Sequence, residues 1–104
     1  MNDQERKDLY TFYVAGVQFH ELKKCIQNVK EDDVLTINPE PTNKYDPNAI
    51  RIEFNEFMIG YVPKKFSSEV SAALEVNEDL VCIVDEVNPE NKPWEQLRVS
   101  IVED

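Results

Sequence analysis

Pro39-Glu40-Pro41-Thr42-Asn43-Lys44-Tyr45-Asp46-Pro47-Asn48, running on into Ala49-Ile50-Arg51-Ile52, is the stretch that decides how this chain reads. It lies between two alternating apolar runs and therefore connects two strands, yet it holds three prolines and no glycine. Each proline fixes its own φ and drives the residue before it toward extended backbone, so the connection is stiff. Asn43, Asp46 and Asn48 can bond neighbouring amides and hold turns where glycine would otherwise be used. An amide, a phenol and a carboxylate within four residues (Asn43, Tyr45, Asp46) fit a presented binding edge, and they fit a self-braced turn equally well.

Outward from this loop the chain alternates. Before it, Tyr10, Phe12 and Val14 face one side and Thr11, Tyr13 and Ala15 the other, which predicts a strand from Leu9 toward Phe19, with Gly16 at a bulge or a close backbone approach. Tyr13, opposite the core set, reads either as a half-buried strand aromatic or as a stacking surface. Leu22, Cys25, Ile26 and Val29 recur at helical spacing and predict a short helix, after which Val34 to Asn38 reads as a second strand. Beyond the loop, Ile50, Ile52 and Phe54 alternate with Arg51 and Glu53, and Asn55-Glu56 is a hairpin turn into a fourth strand, Phe57 to Val62. Gly60 permits close backbone approach there, and Pro63 suits a strand exit or a helix entry. Phe66, Val70, Ala73 and Leu74 define an amphipathic helix with Ser67 as its cap. Leu80 to Val87 and Leu97 to Val102 are the fifth and sixth strands, joined by a polar loop that carries the only tryptophan, Trp94.

The expected fold is mostly β with one or two short helices: a small six-stranded, partly closed antiparallel barrel, OB- or SH3-like in shape. Its 104 residues suffice for one domain, residues 9–104, behind a frayed segment 1–8. No apolar run approaches the roughly 18 residues of a membrane span, and the polar start is not a signal peptide, so a cytoplasmic setting is expected. Cys25 and Cys82 have no metal or redox spacing and read as buried free thiols.

The formal net charge is -10. Acidic proteins do not ordinarily seek nucleic acid, because lysine and arginine drive phosphate contact. The charge is uneven, however: eight acids against Lys92 and Arg98 follow Val76, while six of eleven bases (Lys23, Lys24, Lys30, Lys44, Lys64, Lys65) lie around the proline loop. Lys64 and Lys65 stand at the mouth of a helix, the end where the dipole prefers anions, which favours a phosphate-facing role. Two function classes remain from the residues alone: a nucleic-acid binder with a cationic lip, and an acidic interaction or adaptor module whose nucleic-acid groove is degenerate.

Catalysis finds little support. Gly16 and Gly60 are the only glycines, so a phosphate-cradling loop is absent from the sequence. One histidine, His20, with no second histidine or cysteine at ligand spacing, makes neither a metal site nor a nucleophile–base pair and reads as structural or surface. Neighbouring carboxylates such as Glu31-Asp32-Asp33 follow from composition. The chain is therefore expected not to be an enzyme and to need no cofactor or metal.

Three blocks, Phe12-Tyr13-Val14-Ala15-Gly16-Val17, the loop from Pro39 to Ile50, and Ile59-Gly60-Tyr61-Val62-Pro63-Lys64, resemble the HIRAN domain in order and spacing, and the resemblance spans roughly Thr11 to Val102. The middle block is the specific one. The resemblance implies a small β-barrel-like, non-catalytic module that captures the 3′-hydroxyl end of single-stranded DNA. In eukaryotes such modules are attached to a fork-remodelling ATPase, which implies DNA repair and a DNA-processing protein as partner. Carried over by position, the family's binding residues fall on Tyr13, Asn43, Tyr45, Asp46, Tyr61 and Lys64, with Lys65 beside the last and a late aromatic at Trp94. Gly16, Pro47, Asn48 and Gly60 take structural places. Two positions depart from the eukaryotic pattern: Phe12 stands where those binders carry arginine, and Val14 where they carry an aromatic. Asp46 suits such a site chemically, since an ionised carboxylate only accepts hydrogen bonds and is repelled by an internucleotide phosphate. A free hydroxyl on a terminal ribose, or a base amino group, can donate to it.

Overall fold

The computed structural model describes residues 7–103. Six strands, β1 (Lys7–Tyr13), β2 (Val34–Pro39), β3 (Ile50–Phe54), β4 (Phe57–Tyr61), β5 (Val81–Val87) and β6 (Leu97–Glu103), form one antiparallel sheet in the order β1-β6-β5-β2-β3-β4. Helices α1 (Leu22–Cys25) and α2 (Lys64–Val76) complete the fold, with short 3-10 turns at Val17–Phe19, Ile26–Asn28 and Pro93–Glu95. Of the segment expected to fray, residues 1–6 lie outside the described residues, whereas Lys7 and Asp8 open β1 opposite Glu103 and Val102.

The sheet has two parts that share one strand, β1-β6-β5-β2 and β2-β3-β4. β2 pairs with β5 only at Val34 and Leu35, then with β3 from Thr36 to Pro39. The apolar sides of both parts turn inward, so Ile50, Ile52, Ile59, Val84, Val99 and Ile101 are all fully buried, while Arg51 and Glu53 alternate outward. Phe12 and Val14 belong to this core, at 6% and 1% exposure, which is why both are apolar. On the other face of the sheet a polar chain links three strands: Thr11 reaches the buried Ser100 hydroxyl at 2.8 Å, and Ser100 donates to Asp85 at 2.5 Å, so Thr11 must be the donor to Ser100. Asp85 sits where β5 shifts register against β6.

The sheet is not a closed barrel, but its ends meet. β1 stops at Tyr13; Val14 N then donates to Leu97 O at 2.9 Å, and Ala15 and Tyr61 exchange two backbone hydrogen bonds of 2.9 Å each. This bridge needs Gly60, because a Cβ there would lie 2.5 Å from Ala15 O and 2.6 Å from Val14 Cγ1. Gly16 has a different task from the bulge or close backbone approach expected of it, since a Cβ there would meet only the His20 ring, at 3.7 Å. Its φ of 72° turns the chain out of the bridge into the Val17–Phe19 turn, and the register shift of β1 lies between Asp8 and Tyr10 instead.

Helix α2 starts one turn earlier than its apolar spacing indicates. Pro63 occupies the cap position, and Ser67, expected to cap, lies inside the helix at 2% exposure. Val70 is fully buried, and Phe66, Ala73 and Leu74 pack against the core, with Phe66 stacked 5.7 Å from Phe12. The other predicted helix is only one α turn followed by a 3-10 turn; Leu22, Cys25, Ile26 and Val29 are nevertheless all buried. Both thiols, Cys25 and Cys82, are free and buried.

Candidate nucleic-acid interface

The proline loop is braced at every turn by its own side chains. Its ends are joined by Glu40 N donating to Ala49 O at 2.8 Å, and Ala49 N donates to Asp46 O at 3.0 Å. Asn43 Oδ1 accepts from the amides of Tyr45 (2.8 Å) and Asp46 (3.0 Å), and Asp46 Oδ1 accepts from the Asn48 amide at 2.9 Å. These bonds hold the chain without any residue of positive φ between 40 and 49. The rigidity read from three prolines is thus completed by Asx-type turns.

Two acids fasten the loop to its surroundings. Glu40 Oε1 accepts from Asn43 Nδ2 and from the Tyr61 hydroxyl, both at 2.8 Å, and Oε2 meets Arg51 Nη1 at 3.3 Å. The Asn43 and Tyr61 hydrogen bonds, with Arg51 behind them, hold the Glu40 carboxyl below its ordinary value. Burial, then the bond to Glu40, pushes the Tyr61 phenol up, so Tyr61 is the donor in that pair. Asp46 Oδ2 accepts from the buried Ser67 hydroxyl at 2.7 Å, which ties the loop to the first turn of α2. That bond, the Asn48 amide and the charge of Lys64 lower the Asp46 carboxyl and keep it ionised. Each Asp46 oxygen therefore accepts one internal bond and retains capacity for an outside donor.

Between the loop, the Ala15–Tyr61 bridge and the start of α2 lies a hollow of about 270 Å³, lined by Ala15, Asn43, Tyr45, Asp46, Ala49, Tyr61, Val62 and Lys64. It gathers five of the residues singled out in sequence. Tyr45 is 78% exposed, with Lys44 Nζ 5.4 Å from its ring centroid, so a flat ring stands free at the rim. Tyr61 forms a wall, backed edge-on by His20 at 5.4 Å, which gives His20 a packing role. Asn43 lines the hollow too, but its carboxamide is largely occupied by the loop and by Glu40.

The other expected residues lie elsewhere. Tyr13 and Lys65 line a second hollow of about 410 Å³ with Thr11, Phe12, Pro63, Phe66 and Arg98, next to the α2 entry. Lys65 Nζ lies 5.2 Å from the Phe66 ring centroid. Trp94, on the Pro93–Glu95 turn, is 54% exposed beneath Lys92 Nζ and is not among the residues lining either hollow. Pro47 and Asn48 are exposed on the loop, Asn48 contributing its amide to Asp46. Sequence reasoning missed Glu40, Ser67 and Arg98; each acts through a partner distant in the chain, and no local spacing marks it.

Chemically the first hollow offers an acceptor-only group, an open ring and a cation. It suits a ligand with a hydroxyl or amino donor, a flat face and a nearby anion. Among the described residues no group of three or more His, Cys, Asp and Glu could hold a metal ion, and no helix is long and apolar enough to cross a membrane.

Comparison with known proteins gives the family and the fold. The family model described as HIRAN domain matches residues 7–103. The crystal structure of a protein from Lactobacillus plantarum superposes with a TM-score of 0.76 at 18% identity, covering 95% of this chain and 97% of that one. The crystal structure of the HIRAN domain of human HLTF superposes with a TM-score of 0.60 at 15% identity, covering 91% of this chain and 75% of that one. No curated protein matches the sequence. At such identities the two superpositions establish the fold, and the family model establishes descent.

Proposed function

Because the chain belongs to the HIRAN domain family, a family of nucleic-acid-binding domains, we propose that it captures the 3′-hydroxyl end of single-stranded DNA in the hollow beside Asp46. The observation that carries the reading is the state of Asp46: ionised, anchored by Ser67 and Asn48, and set between the exposed Tyr45 ring and Lys64. A carboxylate there repels a terminal phosphate and accepts from a terminal hydroxyl. Tyr45 stacks the last base, and Lys64 pairs with the phosphate that precedes it. The module acts by binding; chemistry on DNA is left to a processing protein that works beside it.

Titration of short single strands ending in hydroxyl or in phosphate tests the reading. The hydroxyl end binds at least roughly tenfold tighter, with a shallow salt dependence because few phosphates are neutralised. Asp46→Ala abolishes the preference, whereas Tyr45→Ala and Lys64→Gln weaken both ends alike. Equal affinity for the two ends in the unmodified chain overturns it.

A further inference from the structure

The second hollow is the more cationic of the two. In a chain with 21 acids and 11 bases, it is lined by Lys65 and Arg98 and by no acid. Arg98 lies directly across from Tyr13 in the β1–β6 register, so cation and ring share one sheet face. Its guanidinium is incompletely matched within the protein. Glu86 Oε2 lies 3.6 Å from Nη1, longer than a hydrogen bond, and Nε is buried with no partner among the described residues. Pro63 lines this hollow, and Lys64, the next residue, lines the first, so the two adjoin at the α2 entry.

We propose that Arg98 and Lys65 form a phosphate subsite for the nucleotide next to the terminal one, whose base lies on Tyr13. The inference rests on the reading of the first hollow as the seat of the strand end. Lys64 holds the phosphate of the terminal nucleotide; Arg98 and Lys65 hold the following one along the strand. Arginine suits this place because its planar fork can donate to two phosphate oxygens while keeping a loose contact with Glu86.

The test uses 5′-phosphorylated oligothymidylates of one, two and three nucleotides with free 3′-hydroxyls, titrated into the whole chain at several salt concentrations. In the unmodified protein the second nucleotide raises affinity about tenfold, in line with one stacked base and one phosphate contact. Arg98→Gln lowers affinity for the two longer strands about fivefold, leaves the mononucleotide unchanged, and makes the log–log salt slope shallower by about 0.7. Lys65→Gln, an exposed change on the helix, gives the same signature, and Arg98→Lys keeps the slope. If Arg98→Gln and Lys65→Gln leave length dependence and slope intact while the preference for a hydroxyl end persists, the subsite is overturned and the first hollow stands. If no strand binds the unmodified chain, both fall together.

Discussion

Ser67 determines how Asp46 presents itself. Its buried hydroxyl fixes one carboxylate oxygen at 2.7 Å, while the Asn48 amide fixes the other. Ser67→Ala removes the donor without touching any residue that lines the hollow. The expected result is an Asp46 free to rotate, with the preference for a hydroxyl end reduced at least roughly threefold while the fold persists. Acid should act on the same bond. The folded-state carboxyl is lowered, so the bond's contribution is complete above the ordinary 3.8 and is lost as pH falls through the depressed value. Binding measured from pH 7 down to pH 3 should hold its end preference until below that point. The braces within the loop were legible because Asn43 and Asp46 act on amides two or three residues away. Ser67 was misread as a cap because its partner is 21 residues distant, a pairing that only the packed helix creates.

At the level of elements, alternation placed five of the six strands to within one residue, since each half-buried face repeats with period two, whereas β1, read as running toward Phe19, stops at Tyr13. It could not show their order. β2 serves two partners, and the junction that joins the sheet ends pairs Tyr61 of β4 with Ala15, which lies past β1 outside any regular strand. Gly60 was legible as a place of close approach, but its neighbour, Ala15 O, was not. Gly60→Ala should therefore act as overpacking against fixed backbone, lowering stability by about 1–3 kcal/mol in a urea titration. Ligand affinity should fall with it, since Ala15 and Tyr61 both line the first hollow. The short α1 shows the opposite limit: its four buried apolar residues have helical spacing, but the chain covers them with one α turn and one 3-10 turn.

For the molecule as a whole, the charge of -10 first spoke against nucleic acid. Its distribution answers that objection, because Lys44, Lys64, Lys65 and Arg98 cluster on or beside the two hollows while most acids lie elsewhere. Part of this was legible from the bases around the proline loop; Arg98 was not, since it arrives from the acidic C-terminal stretch. A thiol in the core bears on stability at alkaline pH. Burial, with Asp85 second, pushes the Cys82 thiol up to about 12 from an ordinary 9.0. A raised thiol binds its proton in the folded chain after the unfolded chain has released it, so stability should decline as pH rises above 9. Urea midpoints between pH 8 and pH 11 measure the decline, and Cys82→Val should make it shallower.

The Ala15–Tyr61 bridge has one more consequence. Tyr61 is both the last rung that fastens the two sheet ends and a wall of the hollow beside Asp46, so filling that hollow opposes the opening of the seam. Proton exchange at the Ala15 and Tyr61 amides should slow with ligand concentration while remote strand amides that exchange only through global unfolding follow the overall gain in stability. Two backbone protons would then report occupancy, with no dye and no isotope on the ligand.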